Sequence, residues 1–386
     1  MIYLDHAATS PVLEDALRSA WPWLTAEFGN PSSTHELGFR ADAALTAARD
    51  SIAALVGARP AEVLFTSGGT EGNNFAIRGL ALANPRGRHI VSARTEHESV
   101  LEAIEFLQRQ HGFDVTWLPA DSEGRIAAAD LRSALRPDTT LVSLMTINNE
   151  TGVVHPILEF ASVCAEFGVP LHTDAVQAPE LVVNFDQSAV AAATVSGHKF
   201  GAPKGSGFVV LRQSLAVEPL LAGGGQEFGF RSGTENVAWA VAIASAFEAL
   251  NQPSNTQYWA RLEAQNATFI DRVLAEVPGA RLTGPREGRA AAIASFVFEG
   301  VSGERVLLGL EERGIICSSG SACAAGSDEP SHVLTAMGYP DDLARTAVRF
   351  SFPHVGDHAK FGATFEPFDL ERVVSALRQV VEQAKA

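Results

Sequence analysis

The stretch VLFTSGGTEGNN, residues 63–74, holds a short apolar strand, a glycine turn and the start of a helix. The strand ends at Phe65, Ser67-Gly68-Gly69-Thr70 makes a tight loop, and the helix begins near Glu71. Free amides at a helix start, backed by the helix dipole, bind phosphate, and glycine lets the backbone come close to the ligand. An ordinary strand-to-helix turn needs small residues too, so the motif takes its meaning from what surrounds it.

On either side of it, from residue 13 to about 215, amphipathic helix alternates with short apolar runs. Leu13, Ala16, Leu17, Ala20, Trp21 and Leu24 recur at helical spacing, as do Leu45, Ala48, Ile52 and Leu55. Strand-like runs fall at 63–65, 89–91, 115–118, 141–147, 169–172, 193–195 and 208–211, most separated by helical segments such as 100–107 and 157–167. This alternation predicts an α/β fold, a mostly parallel sheet flanked by helices, with ligands at the carboxyl ends of its strands. After Gly223-Gly224-Gly225 the pattern turns to helices at 235–250 and 258–277, then short strands at 293–298, 314–317 and 348–352 mixed with helices at 303–313 and 370–383. We expect a large domain over 13–255 and a smaller α+β domain over 256–386 joined by residues 1–12.

Composition narrows the function. The 386 residues carry a net charge of −16, which disfavours phosphate backbones, so no direct nucleic acid partner is expected. The longest weakly polar stretch, 237–247, is about half the ~20 residues of a spanning helix. The start, MIYLDHAATS, lacks the basic and apolar regions of a signal peptide, so a cytoplasmic protein without membrane partners is expected. Three cysteines are too few for a disulfide framework. Only four of the 29 basic residues are lysines (Lys199, Lys204, Lys360 and Lys385), so few side chains can serve as an amine nucleophile.

The strand ends carry the candidate chemistry. His97 in TEHESV can stack on a flat cofactor, transfer protons or open a helix. Asn148-Asn149-Glu150 can hold a ligand oxygen or cap a turn. Asp174, near His172 and Gln177, suits a buried charge partner or an N-cap. In VSGHKFGAPKGSGF, Lys199 lies at a strand end between polar neighbours, where a lowered pKa would make it a Schiff-base amine. In ICSSGSACAAGSDEP, Cys323 sits in a run of small residues expected to be mobile, so its thiol could travel between substrate and partner. Cys317 and Cys164 read as packing residues, and the region supplies too few ligands for a metal. Phosphate loop, ring partner, carboxylate and lysine at successive strand ends are the parts of a pyridoxal phosphate site.

These residues resemble the cysteine desulfurases of the class V aminotransferase group, which have the pyridoxal phosphate fold type I. The resemblance spans nearly the whole chain: YLDHAATSP, FGNPSSTHELG, FTSGGTEGNN, TEHESV, NNETGVV, HTDAVQ, SGHKFGAPKG, RSGTEN, SSGSACAAGSDEPSHVL and VRFSF. It implies that Lys199 carries pyridoxal 5'-phosphate, His97 stacks on its ring, Asp174 pairs with the ring nitrogen and Gln177 with the ring hydroxyl. It further implies that Gly69, Thr70, Ser196 and His198 hold the phosphate, with Thr234 from the second subunit of a homodimer. Asn30, Asn148 and Arg349 would meet the substrate, and Cys323 would accept its sulfur. The SSGSAC form is similar to the longer-loop subgroup linked to iron–sulfur assembly.

The reaction expected is removal of sulfur from L-cysteine, giving L-alanine and a Cys323 persulfide passed to an acceptor such as an iron–sulfur scaffold. Selenocysteine lyase, cysteine sulfinate desulfinase, another class V aminotransferase-fold enzyme and a catalytically silent assembly partner stand as alternatives. Where relatives usually read RFSLG and a threonine-rich turn, this chain has RFSFPHVGDHAKFGATFEPF, which bears on partner docking.

Overall fold

A computed structural model describes residues 1–84, 86–182, 184–320, 329–354 and 367–385. The chain opens with β1 (Ile2–Tyr3), α1 (Glu14–Thr25) and α2 (Glu36–Val56). A seven-stranded sheet among the described residues is then built from β2 (Val63–Thr66), β3 (His89–Ala93), β4 (Asp114–Leu118), β5 (Thr139–Ser143), β6 (Leu171–Asp174), β7 (Ala192–Ser196) and β8 (Gly207–Leu211). Its spatial order is β2-β8-β7-β6-β5-β3-β4. All pairings are parallel except those of β8, which runs antiparallel to β2 and β7. Every residue of β3, β5, β6 and β7 is buried, as a parallel sheet covered on both faces requires.

The covering helices are α3 (Gly69–Ala83), α4 (Glu98–His111), α5 (Ala128–Ala134), α6 (Ile157–Glu166) and α7 (Val237–Leu250), followed by the long α8 (Ser254–Glu276). One difference from the sequence reading has a physical reason. The apolar run 141–147 is a strand only to Ser143; beyond it Leu144 and Met145 are buried in irregular backbone and Ile147 makes only an isolated bridge to Val154, so their hydrophobicity reports burial rather than a continued strand.

The remaining chain forms β9 (Ala280–Leu282), β10 (Ile293–Phe298), α9 (Gly303–Glu311), β11 (Ile315–Ile316), α10 (His332–Ala336), α11 (Asp341–Ala344), β12 (Val348–Ser351) and α12 (Pro367–Lys385). An antiparallel sheet, β12-β10-β9, packs its phenylalanines with α8 in a second core. Phe269 meets Phe296 and Phe350 edge to face at 5.8 and 5.2 Å between ring centres. Residues Ile2 and Leu4 belong to this second core, and β1 pairs with β11. The N-terminal segment then runs beside β12, with Ser351 N donating to Leu4 O at 2.8 Å and Ala7 N to Ser351 Oγ at 2.8 Å.

Candidate active site

At the carboxyl end of β7 the chain makes one 3-10 turn, Gly197–Lys199. This turn brings Ser196, His198 and Lys199 to a cavity of about 400 Å³. Lys199 Nζ donates to the carbonyls of Ala7 at 2.5 Å and Ala8 at 3.0 Å. His198 Nδ1 lies 3.1 Å from Thr9 Oγ1, and burial, with Lys199 beside it, pushes the ring pKa down to about 4. The N-terminal segment therefore forms one wall of the cavity.

Facing this turn, α3 starts at Gly69, slightly earlier than the sequence pattern indicates, and Gly69 and Thr70 line the cavity. Gly68 precedes the helix with φ +145°, a conformation that suits glycine. A Cβ on Gly68 would lie 3.5 Å from Ser196 Oγ, so the glycine turn and the end of β7 form one cradle. The start of α3 and the Ser196 hydroxyl meet there.

Asp174, at the end of β6, is 6% exposed. Val176 N donates to its Oδ1 at 2.9 Å and Asn73 Nδ2 to its Oδ2 at 2.7 Å. Asn73 Nδ2 also donates to Ser99 Oγ at 2.9 Å, and Ser99 Oγ sits 2.8 Å from His97 Nδ1. Because Ser99 N donates to the same Nδ1 at 3.1 Å, that nitrogen is an acceptor and the neutral ring carries its proton on Nε2. Burial, the largest influence, holds the His97 pKa below its ordinary value. His97 thus caps α4 and lines the cavity at once. Gln177 Nε2 donates to Ala7 O at 2.9 Å, while its buried Oε1 has no partner among the described residues.

Arg349, on β12, completes the wall, with Nη2 donating to Asp5 Oδ1 at 2.9 Å. Asn148 stands apart from the cavity lining. Its Nδ2 donates to Thr95 O, and its Oδ1 accepts from the backbone of Glu150 and Thr151, so its amide is committed to the turn while Asn149 and Glu150 face the cavity. Asn30 and Thr234 are exposed and outside the lining. Cys323 lies outside the described residues, as does most of the unusual 353–368 segment. Cys164 is in the core with its thiol pushed up to about 12 by burial; burial raises Cys317 as well.

Among the polar cavity residues to which the sequence assigns no role are Asn73 and His332. His332 Nε2 donates to Glu96 O at 2.9 Å. Asn73 had a signal, since it stands three residues after Thr70 and so shares its helix face.

The chain matches the Aminotransferase class-V family over residues 2–359. The chain belongs to that family. Among curated relatives, the cysteine desulfurase IscS of Dictyoglomus turgidum is 40% identical over 98% of this chain and 96% of its own. The IscS-like cysteine desulfurase of Mycobacterium tuberculosis is 42% identical over 95% of each. Among solved structures, a NifS-like protein superposes with a TM-score of 0.88 at 29% identity, over 99% of both chains. SspA in complex with cysteine gives 0.80 at 35% identity, over 92% of this chain and 99% of that one.

Class-V aminotransferase family members of the desulfurase type use pyridoxal phosphate, and the residues here fit that group. The partnerless Gln177 Oε1 can accept from a ring hydroxyl. Asp174, held by neutral donors, suits a protonated ring nitrogen. The Gly68 cradle suits a phosphate, and Lys199 offers the amine. Among the described residues, no group of three or more His, Cys, Asp and Glu could hold a metal ion, and no helix is long and apolar enough to cross a membrane.

Proposed function

We propose that this protein is a cysteine desulfurase that converts L-cysteine to L-alanine and leaves the sulfur on Cys323 as a persulfide. The observation that carries this reading is the meeting of Lys199, Asp174, His97 and Arg349 in one cavity of a class-V chain whose curated relatives bear that activity. Pyridoxal phosphate supplies an electron sink for negative charge on the substrate α-carbon.

The chain's own residues do the rest. Lys199 would hold the cofactor through its amine, and the same Nζ would move a proton at the substrate. Asp174 would favour a protonated ring nitrogen, and Asn73 holds Asp174 in place. Arg349 takes the substrate carboxylate as a planar fork. His97, with its proton on Nε2, would offer its ring face to the cofactor ring. The Cys323 thiolate would then attack the substrate sulfur: an S–S bond forms, and the C–S bond breaks with its electron pair passing to the carbon fragment. The outer sulfur stays on Cys323 as the persulfide, and the fragment takes up a proton to leave as alanine. The acceptor of that sulfur is a protein of iron–sulfur cluster assembly, in line with the IscS-type relatives.

The working unit is a homodimer. Leu17, Trp21 and Leu24 on α1, with Phe28 beyond it, recur along one face and are 48%, 61%, 49% and 72% exposed. A second copy covering that stripe would explain both the stripe and the absence of Asn30 and Thr234 from the lining of their own cavity.

The test is holoenzyme incubated with L-cysteine, with alanine quantified and the persulfide located by mass spectrometry. Stoichiometric alanine and a persulfide on Cys323, both lost in Cys323→Ser, are expected. Full turnover in that variant, or sulfur on Cys317 or Cys164, overturns the reading.

A further inference from the structure

Arg349 is 1% exposed and held from every side. Its backbone exchanges hydrogen bonds with Ser318 at 2.7 and 3.2 Å, Nη1 donates to Asn149 O at 2.9 Å and Nη2 to Asp5 Oδ1 at 2.9 Å. Its buried Nε has no partner among the described residues, leaving the guanidinium with donors for a ligand. Asp5 is fixed in turn: it bridges Ser351 on the same strand as Arg349, and Tyr3 Oη donates to its carbonyl at 3.1 Å.

We infer that Asp5 is a positioning residue that aims the Arg349 fork and moderates its grip on the carboxylate of an amino-acid ligand. This rests on the reading of Arg349 as the carboxylate fork. A buried guanidinium with no counter-ion would hold a carboxylate tightly. With Asp5 already beside it, an incoming carboxylate meets a pair of zero net charge and must share the fork. The moderation serves turnover. Cysteine and alanine carry the same carboxylate, so this contact binds substrate and product alike, and uniform binding adds nothing to the chemical step while slowing product release.

Charge and geometry separate in two variants of the holoenzyme. Asp5→Asn keeps an acceptor oxygen for Nη2 and removes the charge; Asp5→Ala removes both. Each is titrated with L-alanine and with L-alaninamide, which lacks the carboxylate, following the absorbance of the bound cofactor. Asp5→Asn should tighten L-alanine by about threefold to tenfold and leave L-alaninamide within about twofold. Asp5→Ala should weaken L-alanine by roughly tenfold through loss of aim. Arg349→Lys serves as the reference. If it weakens L-alanine selectively while Asp5→Asn shifts both ligands alike, shifts neither or weakens L-alanine, the role of Asp5 is overturned and the fork stands. If Arg349→Lys has no selective effect, the fork reading itself falls, and the inference with it.

Discussion

Asn73 Nδ2 lies 2.7 Å from Asp174 Oδ2 and 2.9 Å from Ser99 Oγ, so one amide of α3 joins the carboxylate at the end of β6 to the hydroxyl that holds His97. Asp174 and His97 are therefore oriented through one side chain. Rotation of Asn73 would loosen both together.

Asn73→Ala should accordingly weaken the site without unfolding the chain. Removing one neutral donor from a buried carboxylate costs about 1–3 kcal/mol, roughly tenfold or more in affinity. The measurement is cofactor affinity by absorbance titration of the apoenzyme. Asn73→Asp places a like charge against Asp174 and should be worse than alanine. Equal affinity in parent and Asn73→Ala would show that Asp174 needs no such support.

Much of this arrangement was legible in the sequence, for a physical reason. In β2 and β7 a short apolar run is followed by a polar residue that stands out, Ser67 in the turn and Ser196 at the strand end. By contrast β6 (Leu171-His172-Thr173-Asp174) is polar though buried, and Asp174 stands out by its place at the strand end. The same physics misled at 144–147, where burial persists after the strand stops. What no periodicity reveals is pairing at a distance. Asn73 meets Asp174 across 101 positions, and Asp5 meets Arg349 across 344. Each contact depends on strand order and on the path of the N-terminal segment, which are properties of the assembled sheet. Asn148 shows the opposite case, a residue whose motif is plain but whose side chain is committed to the turn.

His172 supplies a pH prediction. It lies inside the sheet between Ser143 Oγ and Thr194 Oγ1, at 2.9 and 3.0 Å, and burial lowers its pKa to about 3. The unfolded chain binds a proton there near pH 6.5 and the folded chain does not, so its stability contribution is complete above about pH 6.5 and is lost as pH falls toward 3. Glu96 and Glu150, raised by burial, act in the opposite direction, so a single variant must be compared with the parent. His172→Gln should lower Tm at pH 7.5 yet lose less on going to pH 5 than the parent does. Parallel Tm–pH curves would show that His172 does not titrate between the two states.

Glu150 makes the last prediction, one about stability. Ser331 Oγ donates to its Oε2 at 2.5 Å, and Leu334 N donates to Ser331 Oγ at 3.1 Å, so this serine caps α10 and satisfies a buried carboxyl at once. Gly320 packs against the same oxygen: a Cβ there would come within 2.7 Å of Oε2. Burial pushes the Glu150 acid up, which favours its neutral form. A neutral isostere should then be tolerated, since Glu150→Gln keeps an oxygen for Ser331 and avoids burying a charge. Ser331→Ala removes the cap and leaves the carboxyl short of a donor, costing about 1–3 kcal/mol. Urea unfolding of the three proteins at pH 7.5 distinguishes them. Glu150→Gln should match or exceed the parent midpoint while Ser331→Ala falls clearly below it. A large loss in Glu150→Gln would mean instead that the carboxylate is charged in the folded protein and held by the nearby Arg349.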